Sequence, residues 1–171
     1  MYYDLITAKV TPDITSFAKK FNFKPLSLLD LKGLTIIEGK DDATIRKALE
    51  RSTTDILLNP QQGRGKDFMH SRNSGLNQVL CQLAHKNTIA IGITLEHCYD
   101  IKELGKIIQN IHFCRKYHVP ILLFTFAENL YGLRNPLDLL SLCKTLGMTP
   151  AEATTALTGL GNILQKKNIK Y

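Results

Sequence analysis

Apolar positions recur along this chain in short runs of strand length separated by longer stretches at helical spacing. Tyr2 to Val10 reads as a first strand. After Thr11 and Pro12 a helix is predicted from Asp13 to Phe21, with Asp13 acidic in its first turn. Pro25 to Leu29 and Leu34 to Glu38 are further strand-length runs. Asp41 to Arg51 reads as a helix that either Asp41 or Asp42 can cap, with Ile45 and Leu49 on one face. The pattern then repeats. Asp55 to Asn59 is a strand, Gly75 to His85 a helix with Leu76, Val79, Leu80 and Leu83 in a stripe, and Thr88 to Leu95 a β-branched strand. Ile101 to Tyr117 is a long helix with Leu104, Ile107, Ile108 and Ile111 inward. Pro120 to Phe126 is a near-continuous apolar strand expected to be buried on both faces. The chain finishes in helices. Arg134 and Pro136 precede the first of them, Asp138 lies in its first turn, Leu137, Leu140 and Leu146 recur near helical spacing, and Gly147 closes it.

Strands alternating with helices imply βαβ units, and so parallel strands joined by right-handed crossovers. About six such units fit, fewer than the eight of a regular barrel of roughly 250 residues. The pattern therefore leaves a reduced or distorted barrel and an open doubly wound sheet both standing. The glycine-rich phosphate fingerprints of the open sheet are absent, and Gly63-Arg64-Gly65-Lys66 matches none of them. No linker-like or low-complexity tract divides the chain, so residues 1–171 are expected to form one domain.

Composition narrows the partners. The chain has 22 Lys plus Arg against 15 Asp plus Glu, a formal net charge of +7. Such an excess favours a polyanion, nucleic acid before membrane, although a moderately basic enzyme would also carry it. The excess is spread along the sequence, so a folded patch rather than a tail would do the binding. The longest apolar run, Val119 to Ala127, falls well short of the ~20 residues of a membrane helix, and the N-terminal residues do not follow an export pattern. A cytoplasmic location is expected. Cys81, Cys98, Cys114 and Cys143 form no Cys-x-x-Cys pair and read as core thiols. His97, Cys98, His112, Cys114 and His118 could ligate a metal only if the fold converged them.

Three blocks in order resemble one family. The first runs from Glu38 through Arg46 and Ala48 to Asp55, Leu57 and Pro60. The second is Ser74 to Leu95, a helix leading through Lys86-Asn87 into an Ala-x-Gly-Ile-x-Leu strand. The third is Arg134 to Met148, RNPLDLLSLCKTLGM, followed by a short helix and a Lys-Tyr end. Together they are similar to archaeal ribonuclease P protein component 3. The resemblance implies a compact TIM-like (β/α) barrel akin to the polymerase-and-histidinol-phosphatase group. It also implies a noncatalytic subunit that supports removal of 5′ leaders from precursor tRNA. Ribonuclease P RNA would be the catalyst and require magnesium, and component 2 and other protein subunits would be partners. The metal-dependent relatives need an early Asp-x-His-x-His cluster, whereas Asp4 here is followed by Leu5, Ile6, Thr7 and Ala8. A water-activating metal site is therefore hard to assemble, and no cofactor of the protein's own is expected. The alternative, a small barrel phosphoesterase, would have to use His97, Glu96 and other carboxylates.

In parallel α/β folds the loops after the strands share one face. That geometry predicts an RNA-binding rim made of Lys9, Arg46, Arg64, Lys66, Arg72 and Arg134, with His70 in the same loop as Arg64 to Arg72. Arg46 and Arg134 also fall on the family pattern. Each cation has a plainer reading. Arg46 can pair with Glu50, Arg134 with Glu38 or Asp138, and the Arg64 to Arg72 loop can be a solvated, flexible arm. Lys166, Lys167 and Lys170, with no acid after Glu152 to offset them, are read as a second patch. Tyr99, Tyr117 and Tyr131 read as packing residues, so recognition would run through phosphates and shape rather than base stacking.

Overall fold

A computed structural model describes residues 1–169; Lys170 and Tyr171 lie outside the described residues. The strands are β1 (Tyr2–Ile6), β2 (Phe23–Ser27), β3 (Ile36–Glu38), β4 (Ile56–Leu58), β5 (Ala90–Thr94) and β6 (Ile121–Phe124). The helices are α1 (Pro12–Lys20), α2 (Asp42–Glu50), α3 (Gln78–Lys86), α4 (Ile101–Lys116), α5 (Pro136–Thr145) and α6 (Pro150–Lys166). Two 3-10 turns at Leu95–Tyr99 and Leu130–Gly132 were not foreseen from periodicity. The capping chemistry explains the boundaries. Side chains of Thr11, Asp41, Asn77, Asp100 and Asn135 accept backbone N–H bonds at the starts of α1 to α5, and Thr149 and Glu152 form a reciprocal capping box on α6.

The chain folds into two compact units. The first comprises Met1–Leu34 and the residues from Leu122 onward. Here β1 and β2 pair in parallel from Tyr2↔Phe23 to Ile6↔Ser27. Ile6, Ile14, Ala18, Phe23, Ala127 and Leu133 form a core, and α6 packs against both α5 and β1. The face that α5 buries consists of Pro136, Leu139, Cys143 and Leu146, while Leu137 is exposed. Of the set Leu137, Leu140 and Leu146 read from spacing, Leu146 is buried and Leu140 half-buried, and only Leu137 is turned out, because the buried stripe includes a proline and a cysteine that a leucine count passes over.

The second unit, Thr35–Ile121, carries β3, β4 and β5 in that order, all parallel. Ile121 of β6 follows beside β5, where the Ile91 N–H donates to the Pro120 carbonyl at 2.8 Å. Ile45, Leu49, Leu57, Ile89, Ile91, Cys114 and Val119 make its core. All three parallel strands in this unit end toward the same edge, and that edge positions the site. The described strands pair into sheets of two and four strands, so the structure bears out the α/β class with parallel sheets, the coarser part of the expected reduced or distorted TIM-like barrel. No described helix is long and apolar enough to cross a membrane.

Candidate nucleic-acid interface

The loop between β4 and α3 holds three of the six predicted cations, Arg64, Lys66 and Arg72, and side chains of α4 fasten it. Lys106, a buried α4 residue, donates Nζ to the carbonyl of Arg64 at 2.8 Å. Gln109, on the same helix, accepts the Arg72 N–H at 3.0 Å and donates to the Arg72 carbonyl at 2.8 Å and to Ser74 Oγ at 2.9 Å. Asn110 donates to the Ser74 carbonyl at 3.0 Å. These side chains satisfy backbone groups that a loop otherwise leaves to water. Glycines permit the close packing. A Cβ at Gly75, whose φ is +79°, would meet the Pro60 carbonyl oxygen at 1.9 Å, and one at Gly105 would strike the Arg72 guanidinium at 2.6 Å.

Arg64 is the main correction among the predicted contacts. Its side chain is only 7% exposed; Nε donates to the Pro60 carbonyl at 3.1 Å, and Nη1 pairs with Asp42, whose side chain is 86% exposed. Arg64 therefore clamps the loop to the first turn of α2 instead of facing solvent. Two bonds from Thr44, its backbone N–H and then its hydroxyl, hold the Asp41 carboxyl below the ordinary aspartate range, and the charge of Arg64 adds to this.

Of the predicted RNA-binding cations, Arg46, Lys66 and Arg72 lie exposed on the second unit. Arg46 pairs with Glu50 at 2.9 Å along α2, the simpler arrangement considered for it, yet both side chains remain more than half exposed. Arg72 lies 3.7 Å from Asp67 and stays 55% exposed. Lys66 is exposed. The structure brings Arg46 and the loop together: Asp42, Arg46 and Glu50 form one wall of an open groove of about 420 Å³, and Phe68, Asn73 and the Val79, Leu80 and Leu83 side of α3 form the rest. Of the predicted stripe, Leu76 is buried and Leu80 and Leu83 are half-buried, packing against the core beside Cys81 and Ala84 while also lining this groove, and Val79 alone is exposed.

Lys9 and Arg134 belong to the first unit. Lys9 is exposed, three residues past the end of β1. Arg134 instead borders a small cavity with Tyr2, Tyr3, Asp4 and Phe23 at the start of β1, so these two cations do not gather at one point. Its Nη1 donates to the carbonyls of Tyr131 at 2.7 Å and Leu133 at 2.8 Å. In the same cavity wall Asp4 is buried; it accepts the Thr125 N–H at 2.8 Å and the Thr125 hydroxyl at 2.5 Å, and burial still raises its pKa to about 6. Lys167 of the proposed second patch donates to the Gly33 carbonyl at 2.9 Å.

Other sequence expectations are also placed. Tyr117 packs on the core, but Tyr99 and Tyr131 are exposed rather than packed. All four cysteines are buried thiols outside any disulfide. Burial pushes Cys98 up to about 11, and a thiol contact with Cys81 together with burial raises Cys114. Among the described residues no group of three or more His, Cys, Asp or Glu converges as a metal cluster. His97, proposed for the phosphoesterase alternative, directs Nδ1 to Glu103 at 2.6 Å. Sequence reading missed Lys106, Gln109 and Asn110, whose only signal was their spacing on one side of α4.

Comparison with known proteins follows this geometry. Residues 28–170 match a family described as RNase P subunit p30. Ribonuclease P protein component 3 of Methanosarcina mazei is 35% identical over 139 residues, 78% of this chain and 55% of that protein. The Methanosarcina acetivorans protein of the same name is 33% identical with the same coverage. This chain therefore spans about half the length of the curated relatives it matches. A chain in a cryo-EM structure of archaeal ribonuclease P with mature tRNA is similar in fold, with a TM-score of 0.69 at 24% identity, covering 97% of this chain and 80% of that one.

Proposed function

The chain belongs to the RNase P subunit p30 family, and on that premise we propose that it is a noncatalytic, RNA-binding protein subunit of ribonuclease P. The family match across most of the chain is the observation that carries this reading. In it, ribonuclease P RNA cleaves the 5′ leader of precursor tRNA with magnesium. The protein binds that RNA beside component 2 and the other protein subunits in the cytoplasm. Its contribution is to set cations where folded RNA crowds its phosphates. Arg46, Lys66 and Arg72 carry this role in the second unit, and Lys9 and Arg134 in the first. Contacts of this kind read shape and charge rather than sequence. The parallel strand-helix alternation also supports a reduced (β/α) barrel as the parent architecture.

The test is precursor tRNA cleavage by ribonuclease P RNA at low magnesium, with and without this chain and a component 2 partner, beside the protein alone. Rescue that requires the RNA is the expected result. Absence of rescue refutes the subunit reading, and cleavage by the protein alone replaces it with a metal-dependent phosphoesterase.

A further inference from the structure

Phe68 and Met69 sit at the tip of the fastened loop, 65% and 91% exposed. A large aromatic ring in water is unfavourable unless something covers it, and this ring packs against no other aromatic ring among the described residues. The tip is also preorganised. The Phe68 N–H donates to the Ser71 carbonyl at 2.9 Å, the Asn73 N–H donates to Asp67 Oδ1 at 2.9 Å, and Gln109 grips Arg72 on both its backbone groups. With the backbone beneath it fixed in this way, the ring loses less freedom when a planar partner lands on it than one on an unfastened loop would.

We propose that Phe68 is a stacking platform for an unpaired RNA base, with Lys66 and Arg72 meeting the phosphates on either side. This deepens the RNA-binding reading above and rests on it. The neighbouring charges decide for RNA over an apolar protein surface. Among the exposed residues 65–72 there are two cations, Lys66 and Arg72, and one acid, and that acid, Asp67, is already engaged by Asn73 and Arg72. Lys66 has no acidic partner among the described residues. An exposed aromatic ring bracketed by cations is the arrangement that stacks single-stranded bases while tracking their backbone. A base inside a duplex keeps both faces occupied, so the platform selects loops, bulges and ends.

The chain has no tryptophan, which makes F68W a single fluorescent reporter at the site. The full chain is titrated with a short single-stranded oligoribonucleotide and with a duplex of the same length, using F68W for emission and wild type, F68A and R72A for affinity. Quenching of F68W by the single strand only is expected, together with a loss of single-strand affinity in F68A of about five- to hundred-fold. F68A should keep the wild-type salt dependence, whereas R72A should flatten it. Circular dichroism of F68A checks that the fold is retained. Unchanged single-strand affinity in F68A, or equal quenching by duplex, overturns the stacking role. If R72A still weakens binding in that case, the RNA-binding reading survives; if wild type binds neither RNA, both fall.

Discussion

Replacing Asp4 with asparagine tests the electrostatics of the first unit most directly. Asp4 is buried and its pKa stands at about 6 against 3.8 for the free side chain. The folded protein therefore holds a proton on this group through a range where the unfolded chain has released it. Stability from this group is fully present below about pH 3.8, falls as pH rises through that interval, and is gone above about 6. The shift corresponds to about 3 kcal/mol, at about 1.4 kcal/mol for each pKa unit. The two Thr125 bonds act in the opposite sense, by favouring the carboxylate, and burial outweighs them. Asparagine keeps the size and can still accept the Thr125 N–H, but it cannot ionise. Urea unfolding of wild type and D4N should be followed from pH 4 to pH 7.5, taking the stability difference at each pH so that other titrations cancel. That difference should move by about 2.4 kcal/mol in favour of D4N across this window, most of the full shift, as pH rises. A difference that stays constant with pH would refute the assignment, as would one that moves toward wild type.

Three further outcomes are expected. G75A, forced into the Pro60 carbonyl at a positive φ, should cost more than about 2 kcal/mol and open the loop, seen as faster proteolysis between residues 60 and 77. K106M removes the donor that holds the Arg64 carbonyl and should destabilise by about 1–3 kcal/mol in urea melts, with the same cleavage pattern. In RNA-binding titrations, R46A and R72A should each lower the log-log salt slope by about 0.7–0.9, and R64A should instead lower thermal stability, because its guanidinium is inside the loop.

The sequence made the helix starts readable because caps are local chemistry: Asp41, Pro136 and the Thr149 to Glu152 box each act within four residues. The strands were readable for a similar reason, and Ile45, Leu49 and Ile107 are buried as their spacing predicts. The site was harder. Burial of Lys106 and Asn110 depends on a loop more than thirty residues upstream, a distance that no helical period encodes. Arg64 reads as a surface cation until Asp42 and Pro60 come round it, and α3 turns Val79 outward because its smaller neighbours Cys81 and Ala84 fit the core. Sheet closure is a property of strand pairing, which alternation of strands and helices does not determine.

The four buried thiols give the chain a built-in clock. Cys81, Cys98 and Cys114 belong to the second unit and Cys143 to the first. A thiol-alkylating reagent reaches a cysteine only when the surrounding core opens, since all four are buried away from solvent. Labelling rates resolved peptide by peptide would therefore time the opening of each unit separately, in one tube and without any substitution.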